Sequence, residues 1–461
     1  MNKEQLNILQ EKQKEFFRSG FTKDYRHRIA VLKLLKNIII ENESKIFKAL
    51  YEDLHKGQIE SYTSEIAYVI NEINYTIKHL KCWMKSKRVR TSLMNQPAKS
   101  YIYSEPLGTV LIISPWNYPF ALLFTPLIGA IAAGNCVILK PSEVSKNTSN
   151  LIAQLIYDNF DEQYISAIEG GAEVTQNLIS EKIDYIFFTG NSEVGKEIMK
   201  SASKYLIPVS LELGGKNPCI IDTDIDFEVT AKRIVWGKFF NAGQTCISPD
   251  YLLVHHSIKD KFVQALIKTI NEFHGEDINS DSDISHIINE KHFDRLNSLL
   301  NDGEVIYGGK NKKKSLFISP TLMRNIKSNS KILTDEIFGP ILPIFTYVNL
   351  ESEIEKINKL HKPLSLYLFT NDKVKQDMII QQTSSGQVCI NGTIHTMVSN
   401  TLSFGGVGYS GIGKYKGKAS FETFSHRKSV LKKSFVFDAK ISYPPYKTSL
   451  ETIKKAFKFL Y

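Results

Sequence analysis

Two residues in this chain could form and release a covalent intermediate. Cys246 ends the segment 241–246 (Asn-Ala-Gly-Gln-Thr-Cys), and Glu212 lies 34 residues before it in the segment 211–216 (Leu-Glu-Leu-Gly-Gly-Lys). A thiolate is a strong nucleophile, and a carboxylate held nearby can activate water to release the product. A single cysteine in an intracellular chain is more often a small buried apolar residue, so the assignment depends on the residues around these two.

Length and composition limit the class of protein. A chain of 461 residues is long enough for two or three domains, and 42% hydrophobic with 23% charged residues is typical of a globular protein in water. The net charge of +10 is dispersed, apart from the cluster 310–314 and the last fifteen residues, and no aromatic-basic motif accompanies it. We therefore expect no nucleic-acid partner, while an anionic cofactor or an anionic membrane surface is compatible with the charge.

The cysteine pattern indicates a reducing compartment. The five cysteines are odd in number, widely separated and without a CxxC pair, which argues against a disulfide framework and against a zinc site. The first residues lead into charged, helix-like sequence without an apolar signal core, which argues against secretion. We therefore expect a cytoplasmic protein that holds no metal.

The uncharged stretch 106–139 is long enough to suggest a membrane span, but prolines and glycines interrupt it repeatedly. Its pattern predicts a buried strand at 109–113, a short apolar helix at 127–133 and a second buried strand at 136–139. Continuous apolar strands around a helix are what a parallel sheet covered on both faces requires. The stretch is therefore interpreted as a core βαβ unit.

Strands and helices alternate along most of the chain. Further strands are predicted at 164–168 and 185–188, and a second alternation begins near Glu212, with strands at 219–221 and 251–254. This order predicts an α/β fold with doubly wound parallel sheets. The other predicted elements are helices within 24–56, 64–85, 151–160, 227–240 and 259–273, an extended segment at 100–104, and strands at 429–431 and 434–436.

A candidate pyrophosphate site follows the strand predicted at 185–188. No GxGxxG fingerprint is present, but the chain passes there through Gly190 and Asn191 into an apparent helix that contains Gly195. Glycine lets the backbone approach a pyrophosphate, and the amides and dipole of a helix start favour negative charge. The alternative is a helix cap without a ligand.

A second candidate cofactor segment follows the strand predicted at 136–139. It delivers Lys140, Ser142 and Glu143 to the carboxyl edge of the sheet, where open α/β sheets bind their ligands. A lysine and a carboxylate at that edge could hold ribose hydroxyls from both sides. The alternative is a surface lysine followed by a helix-capping Ser-Glu pair.

Seven segments resemble, in order and across nearly the whole chain, the motifs of the aldehyde dehydrogenase family. The chain is most similar to the short class 3 branch, which oxidises fatty and aromatic aldehydes and lacks the longer N-terminal extension of other branches. One such segment could arise by chance, whereas seven in the family's order are specific. They are 115–119 (Pro-Trp-Asn-Tyr-Pro), 140–143 (Lys-Pro-Ser-Glu), 188–190 (Phe-Thr-Gly), 211–216 (Leu-Glu-Leu-Gly-Gly-Lys), 243–246 (Gly-Gln-Thr-Cys), 336–340 (Glu-Ile-Phe-Gly-Pro) and 404–408 (Phe-Gly-Gly-Val-Gly).

The resemblance implies roles for three catalytic residues. Cys246 matches the family's nucleophile, and its thiolate would need help from loop amides, a cofactor charge or Glu212. Asn117 matches the family's oxyanion partner, which acts with the backbone N–H of the nucleophile; alone, it would be interpreted as a turn residue. Glu212 matches the general base that hydrolyses the thioester left after hydride transfer, so a free acid is the expected product.

The resemblance also implies cofactor contacts. Glu336 matches the residue that holds the nicotinamide ribose, with Phe338 packing near the ring; without the family, the segment is a strand end entering a turn. Lys140 and Glu143 match contacts to the adenosine ribose. A carboxylate at Glu143 should repel a 2′-phosphate and favour NAD, but class 3 enzymes often accept both cofactors, so NADP stays open.

Substrate contacts are implied in the same way. Tyr118, Trp236 and Phe240 lie where this family lines its aldehyde tunnel, which predicts an apolar, long or aromatic aldehyde. Aromatic residues at helical spacing also occur in cores, so both interpretations stay open. His395 is interpreted as an ordinary loop histidine.

The resemblance completes the domain organisation and predicts a homodimer. The fold is then two Rossmann-like domains with a small β oligomerisation arm. The predicted boundaries are 1–85 with 106–210 for the NAD(P)-binding domain, 211–395 for the catalytic domain, 86–105 with 425–440 for the arm and 441–461 for a C-terminal amphipathic tail.

The tail predicts a basic interfacial helix over 448–461. Thr448 and Glu451 could form a capping box, and Leu450, Ile453, Phe457 and Leu460 would share one face, with lysines elsewhere. Such a helix could bring the enzyme to a membrane as a peripheral contact. The alternative is a helix docked on its own subunit or on a dimer partner.

Two other functions compete with aldehyde oxidation. One is coenzyme A acylation or acyl-phosphate reduction on the same scaffold, against which the carboxylate at Glu212 argues. The other is a binding or structural protein that keeps the fold without catalysis. That second function requires a lost catalytic residue, and Asn117, Glu212, Cys246 and Glu336 are all in place.

Overall fold

The computed structural model describes residues 2–180, 182–280, 282–436, 438 and 443–460. An open, mostly parallel sheet lies in the first half of the chain. In spatial order its strands are Ile165–Ala167, Cys136–Lys140, Thr109–Ile113, Tyr185–Thr189, Val209–Glu212 and the antiparallel Gly411–Ile412. The chain order reverses between Thr109–Ile113 and Tyr185–Thr189, and ligands of such sheets bind at this point, beyond the carboxyl ends of the strands.

The central strand Thr109–Ile113 shows why its sequence is uniformly apolar. Val110 and Ile112 pack into one hydrophobic cluster, together with helices such as Ala121–Ala133, while Leu111 and Ile113 pack into another. Successive side chains of a strand point to opposite faces, so a sheet covered on both faces requires apolar residues at every position.

A second sheet follows along the chain. In spatial order its strands are Glu304–Tyr307, Thr321–Arg324, Ile341–Tyr347, Tyr251–His255, Pro218–Ile221, Ser365–Phe369 and Gln387–Ile390. Neighbouring strands run parallel, except that Glu304–Tyr307 is antiparallel to Thr321–Arg324. The predicted α/β class with two doubly wound, Rossmann-like sheets is confirmed.

Two smaller sheets complete the strands of the described residues. Ala98–Pro106 pairs antiparallel with both Lys87–Val89 and Ser425–Lys433, and Asn311–Lys312 pairs with Phe317–Ile318. The segments predicted to form the arm are thus hydrogen-bonded to each other. Their role in oligomerisation stays a prediction, as do the domain boundaries.

The helices lie mainly between the strands, as a doubly wound chain requires. Their bounds are Lys3–Arg18, Tyr25–Glu41, Glu43–Leu54, Gln58–Ser61, Ala67–Trp83, Ala121–Ala133, Lys146–Asn159, Ala172–Leu178, Ser192–Ser203, Phe227–Phe239, Lys259–His274, Glu290–Leu299, Lys331–Thr334, Leu350–Lys359, Lys373–Gln382, Lys418–Thr423 and Leu450–Leu460, with a π-helical turn at Tyr62–Ile66. Within the described part of the chain, none of these helices is long and apolar enough to cross a membrane.

Three local predictions differ from the structure. The helix predicted at 127–133 begins at Ala121 and contains Pro126, because a carboxylate from an earlier part of the chain binds the first amide of the helix. The strand predicted at 434–436 is absent, since the arm strand ends at Lys433. The tail helix begins at Leu450, and Ser449 rather than Thr448 accepts a hydrogen bond from a first-turn amide, that of Thr452.

Parts of the predicted arm and tail lie outside the described residues. These are positions 437, 439–442 and 461, together with the side chain of Leu460 on the predicted apolar face.

Candidate active site

The loop that carries Cys246 joins the helix Phe227–Phe239 to the strand Tyr251–His255. Three consecutive residues of this loop are left-handed, with φ of 53° at Asn241, 51° at Ala242 and 71° at Gly243. Such angles are strained for residues other than glycine, and they persist only where surrounding contacts impose them. The loop is therefore held in one shape by its neighbours.

Buried amide side chains supply those contacts. Asn241 donates from Nδ2 to the carbonyl of Asn117 at 2.8 Å, and Asn217 donates from Nδ2 to the carbonyl of Cys246 at 2.8 Å. Gln244 donates from Nε2 to the carbonyl of His286 at 2.9 Å and accepts from the N–H of Ile288 at 3.1 Å. Sequence reasoning missed these anchors, because their partners lie far away along the chain.

Asn117 is brought directly to this loop. Its side chain is buried, and its Nδ2 donates to the carbonyl of Gln244 at 2.9 Å, so it does not serve merely to satisfy its own turn. The neighbouring Tyr118 hydroxyl lies 2.6 Å from Oγ1 of Thr245. Both residues follow the strand Thr109–Ile113, whose carboxyl end faces the loop.

Glu212 ends the strand Val209–Glu212 in the first sheet. Its side chain is 2% exposed, and neither carboxylate oxygen has a hydrogen-bond partner among the described residues. Burial raises its pKa well above the ordinary value of a glutamate. A buried carboxyl without partners is costly for the fold, and such groups concentrate at functional sites.

Glu336 approaches the site from the second sheet. A Cβ atom on Gly214 would lie 2.2 Å from its Oε2, so the Gly-Gly turn makes room for this carboxylate. Burial, followed by the charge of Asp250, raises the pKa of Glu336 to about 8, against the opposing effects of the Gly215 N–H, Lys216 and Arg295. Phe338 in the same turn has a left-handed backbone, with φ of 48°. The centres of the Phe338 and Trp116 rings lie 5.4 Å apart, and the angle between the ring planes is 81°.

The surroundings of Cys246 favour its neutral thiol. Burial comes first, and the carboxylates of Glu336 and Glu212 add to it, so that the pKa of Cys246 is raised to about 12. Its own N–H and that of Ile247 act in the opposite direction. These same amides are in place to stabilise negative charge that develops at the thiol or next to it.

An apolar cavity of about 190 Å³ opens onto Cys246. Its lining includes the three residues that were predicted to contact the substrate, Tyr118, Trp236 and Phe240. The centres of the Trp236 and Phe240 rings lie 5.6 Å apart, and the centre of the His395 ring lies 5.1 Å from that of Trp236. A mostly apolar lining with few polar groups suits the apolar part of a ligand. Its other lining residues are Thr63, Ser64, Tyr68, Ala121, Leu122, Thr245, Ile247, Ile394, Met397 and Val398.

Comparison with known proteins decides the family. The sequence profile described as "Aldehyde dehydrogenase family" matches residues 1–430. The chain belongs to the aldehyde dehydrogenase family. The predicted NAD(P)-dependent oxidoreductase acting on aldehydes is thereby confirmed.

Individual aldehyde dehydrogenases resemble the chain over nearly its full length. It is 48% identical to the 4,4'-diaponeurosporen-aldehyde dehydrogenase of Staphylococcus aureus, over 98% of this chain and 100% of that protein. It is 45% identical to the dimeric NADP-preferring aldehyde dehydrogenase of Canis lupus familiaris, over 93% and 95% of the two chains. Family 3 members of Rattus norvegicus and Mus musculus follow at 42% and 41% identity, which confirms the resemblance to class 3.

A solved structure gives the same result for the fold. The substrate-bound state of Staphylococcus aureus AldH has a TM-score of 0.95 and 47% sequence identity, and the match covers 99% of this chain and 100% of that chain.

The cofactor edge of this aldehyde dehydrogenase contains buried polar groups without protein partners. The hydroxyls of Ser114 and Thr189 follow or end the two strands on either side of the point where chain order reverses. Both are buried, and neither forms a hydrogen bond among the described residues. Unpartnered buried hydroxyls at this point suit a polar ligand such as NAD(P).

The predicted ribose contacts lie at the same edge. Lys140 is buried, and its Nζ donates to the carbonyl of Pro141 at 2.8 Å and lies 3.1 Å from Oε2 of Glu143, whose side chain is half exposed. The Ser142 hydroxyl accepts from the N–H of Val144 at 3.3 Å. The Glu143 carboxylate is thus accessible to a ligand from solvent, whereas the Lys140 ammonium is buried and hydrogen-bonded.

The predicted pyrophosphate contacts lie at the start of the helix Ser192–Ser203. The N–H of Gly190 donates to the carbonyl of Glu212 at 3.0 Å. The Asn191 side chain caps the helix by accepting from the Val194 N–H at 2.9 Å, and a Cβ on Gly195 would lie 2.9 Å from Leu213. Asn191 and Gly195 thus have structural tasks as well: one begins the helix and the other lets it pack closely on the sheet.

Proposed function

We propose that this aldehyde dehydrogenase oxidises an apolar aldehyde to the carboxylic acid through a thioester on Cys246. The observation that carries the proposal is the opening of an apolar cavity onto Cys246, whose thiol also interacts with the charge of Glu212, a carboxyl that has no hydrogen-bond partner among the described residues. This arrangement combines a nucleophile, an apolar substrate site and a base. The cavity lining supports the choice of an apolar substrate over a charged one.

The first half of the reaction forms the thioester. The Cys246 thiol loses its proton to water, and its own N–H and that of Ile247 stabilise the thiolate. The thiolate adds to the aldehyde carbon, and the Asn117 amide with the Cys246 N–H stabilises the resulting alkoxide. Bound NAD(P)+ supplies the hydride acceptor. The alkoxide then reforms a carbonyl as the hydride leaves its carbon, so the acyl group remains on the sulfur.

The second half releases the acid. Glu212 takes a proton from water, the hydroxide adds to the thioester carbonyl, and the C–S bond breaks to return the Cys246 thiolate. Burial raises the pKa of Glu212 well above normal, so its ionised form is a stronger base than an exposed glutamate, and this step should become faster as pH rises and more of the carboxyl is ionised. The Asn117 amide acts again on the second oxyanion.

The same edge of the sheet suits the cofactor. We propose that Lys140, Ser142 and Glu143 hold the adenosine ribose, and that Gly190, Asn191 and Gly195 form the backbone surface for the pyrophosphate. Glu336 would hold the nicotinamide ribose, with Phe338 beside the ring. Because Glu143 is a carboxylate, NAD is the preferred cofactor, although the dimeric relative is named as NADP-preferring.

The experiment that tests this function follows NADH formation by the purified protein with aldehydes from short aliphatic to long-chain and aromatic. Turnover should increase with chain length and vanish in Cys246→Ala. Added coenzyme A should leave the rate unchanged, because water is the acyl acceptor. Absence of turnover with both NAD and NADP would contradict the proposal, and acceleration by coenzyme A would favour the acyl-transfer alternative.

Substrate selection is proposed to depend on the aromatic lining. Tyr118, Trp236 and Phe240 would contact the apolar chain of the aldehyde, and one relative is named for 4,4'-diaponeurosporen-aldehyde. Phe240→Ala should raise KM for long-chain aldehydes and leave that for acetaldehyde unchanged. Equal effects on both substrates would contradict this role.

The assembly is proposed to be a homodimer that forms through the arm. The sheet of Lys87–Val89, Ala98–Pro106 and Ser425–Lys433 has two edge strands that could pair with a second copy, and one relative is named as dimeric. Light scattering at micromolar concentration should give twice the chain mass. We further propose the boundaries stated above for the two domains, the arm and the tail.

The location is proposed to be cytoplasmic, with a peripheral membrane contact through residues 448–461. The cysteines are free, as a reducing compartment requires, and the tail helix exposes Leu450 beside Lys454 and Lys455. Deletion of 448–461 should lower co-sedimentation with vesicles that contain anionic lipid. Unchanged co-sedimentation would favour a helix docked on protein.

A further inference from the structure

A buried ion pair lies behind the segment that carries Asn117. The Nζ of Lys56 is 2.7 Å from Oε1 of Glu65, and both side chains have no exposed surface. Burying two charges costs several kcal/mol per ion after relaxation, so a pair of this kind is weak evidence of a contribution to stability. Its contacts indicate a different purpose.

The pair holds both ends of the segment 117–121. Lys56 donates to the carbonyl of Asn117 at 3.3 Å, and its Nζ lies 4.3 Å from the centre of the Tyr118 ring. The other oxygen of Glu65 accepts from the N–H of Ala121 at 2.7 Å. The backbone carbonyl of Asn117 and the first residue of the next helix are thus fixed to the same pair.

Glu65 also supplies the cap that this helix otherwise lacks. The helix Ala121–Ala133 is buried, and Phe120 before it offers no side-chain cap. The first amides of a helix need an acceptor, and a carboxylate there interacts favourably with the helix dipole. Glu65 itself lies in the π-helical turn Tyr62–Ile66, a distortion that often marks a functional site.

The segment that is held in this way faces the loop at 240–250 that carries Cys246, called here the nucleophile loop. The side-chain amide of Asn117 donates to the carbonyl of Gln244, two residues before Cys246. The backbone carbonyl of Asn117 also accepts from the side chain of Asn241, in the strained part of the loop. A shift of the Asn117 backbone would therefore move the amide relative to Cys246. Displacements of about 1 Å can cost a hundredfold in rate when they affect groups that act on the transition state.

We propose that Lys56 and Glu65 form a positioning pair, which fixes the Asn117 amide against Cys246 and so accelerates thioester formation. The pair touches neither substrate nor cofactor in this role, and acts through Asn117. The inference rests on the proposed oxyanion role of Asn117 and adds to it the residues that hold the amide in place.

The test combines the neutral pair Lys56→Met/Glu65→Gln with Asn117→Ala in a double-mutant cycle. The amide at position 65 still accepts from Ala121, and neither member of the pair is left as a lone charge. Glu60 loses the favourable charge of Lys56 but keeps its hydrogen bond from Ser285, so the variant should fold. Lys56→Met alone would also leave the Glu65 carboxylate buried without its partner. The rate of NADH formation in a single turnover should fall about ten- to a hundredfold. KM for NAD and the unfolding midpoint should stay close to those of the wild type.

The cycle separates positioning from a general structural effect. In the Asn117→Ala background, adding Lys56→Met/Glu65→Gln should lower the single-turnover rate by less than about a further twofold. The effects of residues that act through one group are not additive. The matched control is Lys48→Met/Glu52→Gln, an exposed pair at 3.8 Å on the preceding helix, which should leave the rate unchanged.

Two outcomes overturn the proposal in distinguishable ways. The positioning role would be wrong if the neutral-pair variant kept the wild-type rate while Asn117→Ala was slow. It would also be wrong if the rate losses of the neutral pair and of Asn117→Ala were fully additive. Either result would leave the proposed function intact. A wild-type rate in Asn117→Ala would overturn the oxyanion role itself, and with it any action of the pair through that amide.

Discussion

Glu212, the proposed base, is a buried carboxyl that is held at a cost to the stability of the fold. Its folded pKa lies above that of an unfolded glutamate, so below about pH 4.5 both states are protonated and the group is neutral for stability. Above that pH the unfolded state releases its proton while the folded state retains it. Stability is therefore lost as pH rises, until the folded pKa is reached.

We predict that Glu212→Gln removes this pH-dependent loss of stability. The same substitution should abolish steady-state turnover. The difference in free energy of unfolding, variant minus wild type, should increase by up to about 1.4 kcal/mol per pH unit within that window. Urea unfolding at pH 5 to 8 measures it, and the variant should keep a first-turnover burst of NADH. A pH-independent difference would show that the wild-type carboxyl ionises normally.

The charge of Glu336 is predicted to control the reactivity of Cys246. Because the pKa of Glu336 is about 8, its carboxyl is ionised at pH 9 and opposes ionisation of the thiol. In Glu336→Gln the pKa of Cys246 should fall, because the charge that raises it most after burial is removed. Iodoacetamide should then alkylate Cys246 about tenfold faster than in the wild type at pH 9, and at the same rate at pH 6.

Glu143→Gln is the control for this prediction. It removes a half-exposed carboxyl at the carboxyl edge of the first sheet, and Glu143 is not among the charges that raise the pKa of Cys246. Its alkylation rate should match the wild type at both pH values. Equal rates for Glu336→Gln and the wild type at pH 9 would contradict the electrostatic coupling.

At the scale of elements, the nucleophile loop depends on close backbone contact. Gly243 has φ of 71°, and a Cβ there would lie 2.3 Å from the carbonyl oxygen of Gly339. We predict that Gly243→Ala lowers kcat at least about a hundredfold, because the loop must move away from the 336–340 turn. Steady-state kinetics and circular dichroism measure the rate and confirm folding.

Gly275→Ala is the matched control for the loop prediction. Its φ of 81° is also positive, so an alanine there is strained, but no atom lies within 4 Å of the added Cβ. It should lose about 1 kcal/mol of stability and retain kcat. Equal losses of rate in both variants would show that backbone strain, rather than the clash with Gly339, causes the effect.

Sequence reasoning succeeded for elements whose signal is local. The strand Thr109–Ile113 was predictable because burial on both faces demands an unbroken apolar run. The start of the helix at Ala121 was not, because its cap comes from Glu65, a residue 56 positions earlier. The link from Gln244 to 286–288 was hidden for the same reason: a buried amide does not reveal its partner in the sequence.

At the scale of the whole molecule, the site lies between two sheets. Glu212 and Asn117 follow or end strands of the first sheet, at its carboxyl edge, while Cys246 precedes the strand Tyr251–His255 at the amino edge of the second. The alternation of strands and helices predicts both sheets, but it does not say which edges face each other. The family motifs, rather than the hydrophobic periodicity of the sequence, predicted that these residues belong to one site.

We predict that NAD+ protects both facing edges from hydrogen exchange, because one ligand spans them. The amides of 187–196, at the carboxyl edge of the first sheet, and of 336–339, in the turn before the strand Ile341–Tyr347 of the second, should exchange more slowly in the presence of NAD+. At about a hundred times its Kd, binding adds about 2.7 kcal/mol of stability. ADP-ribose lacks the nicotinamide ring but keeps both riboses, so it should protect 187–196 fully. It should also protect 336–339, because Glu336 is proposed to hold the second ribose. ADP, which lacks that ribose, should protect 187–196 alone. Protection of 336–339 by ADP equal to that by NAD+ would mean that the second sheet responds to closure of the domains rather than to contact with the cofactor.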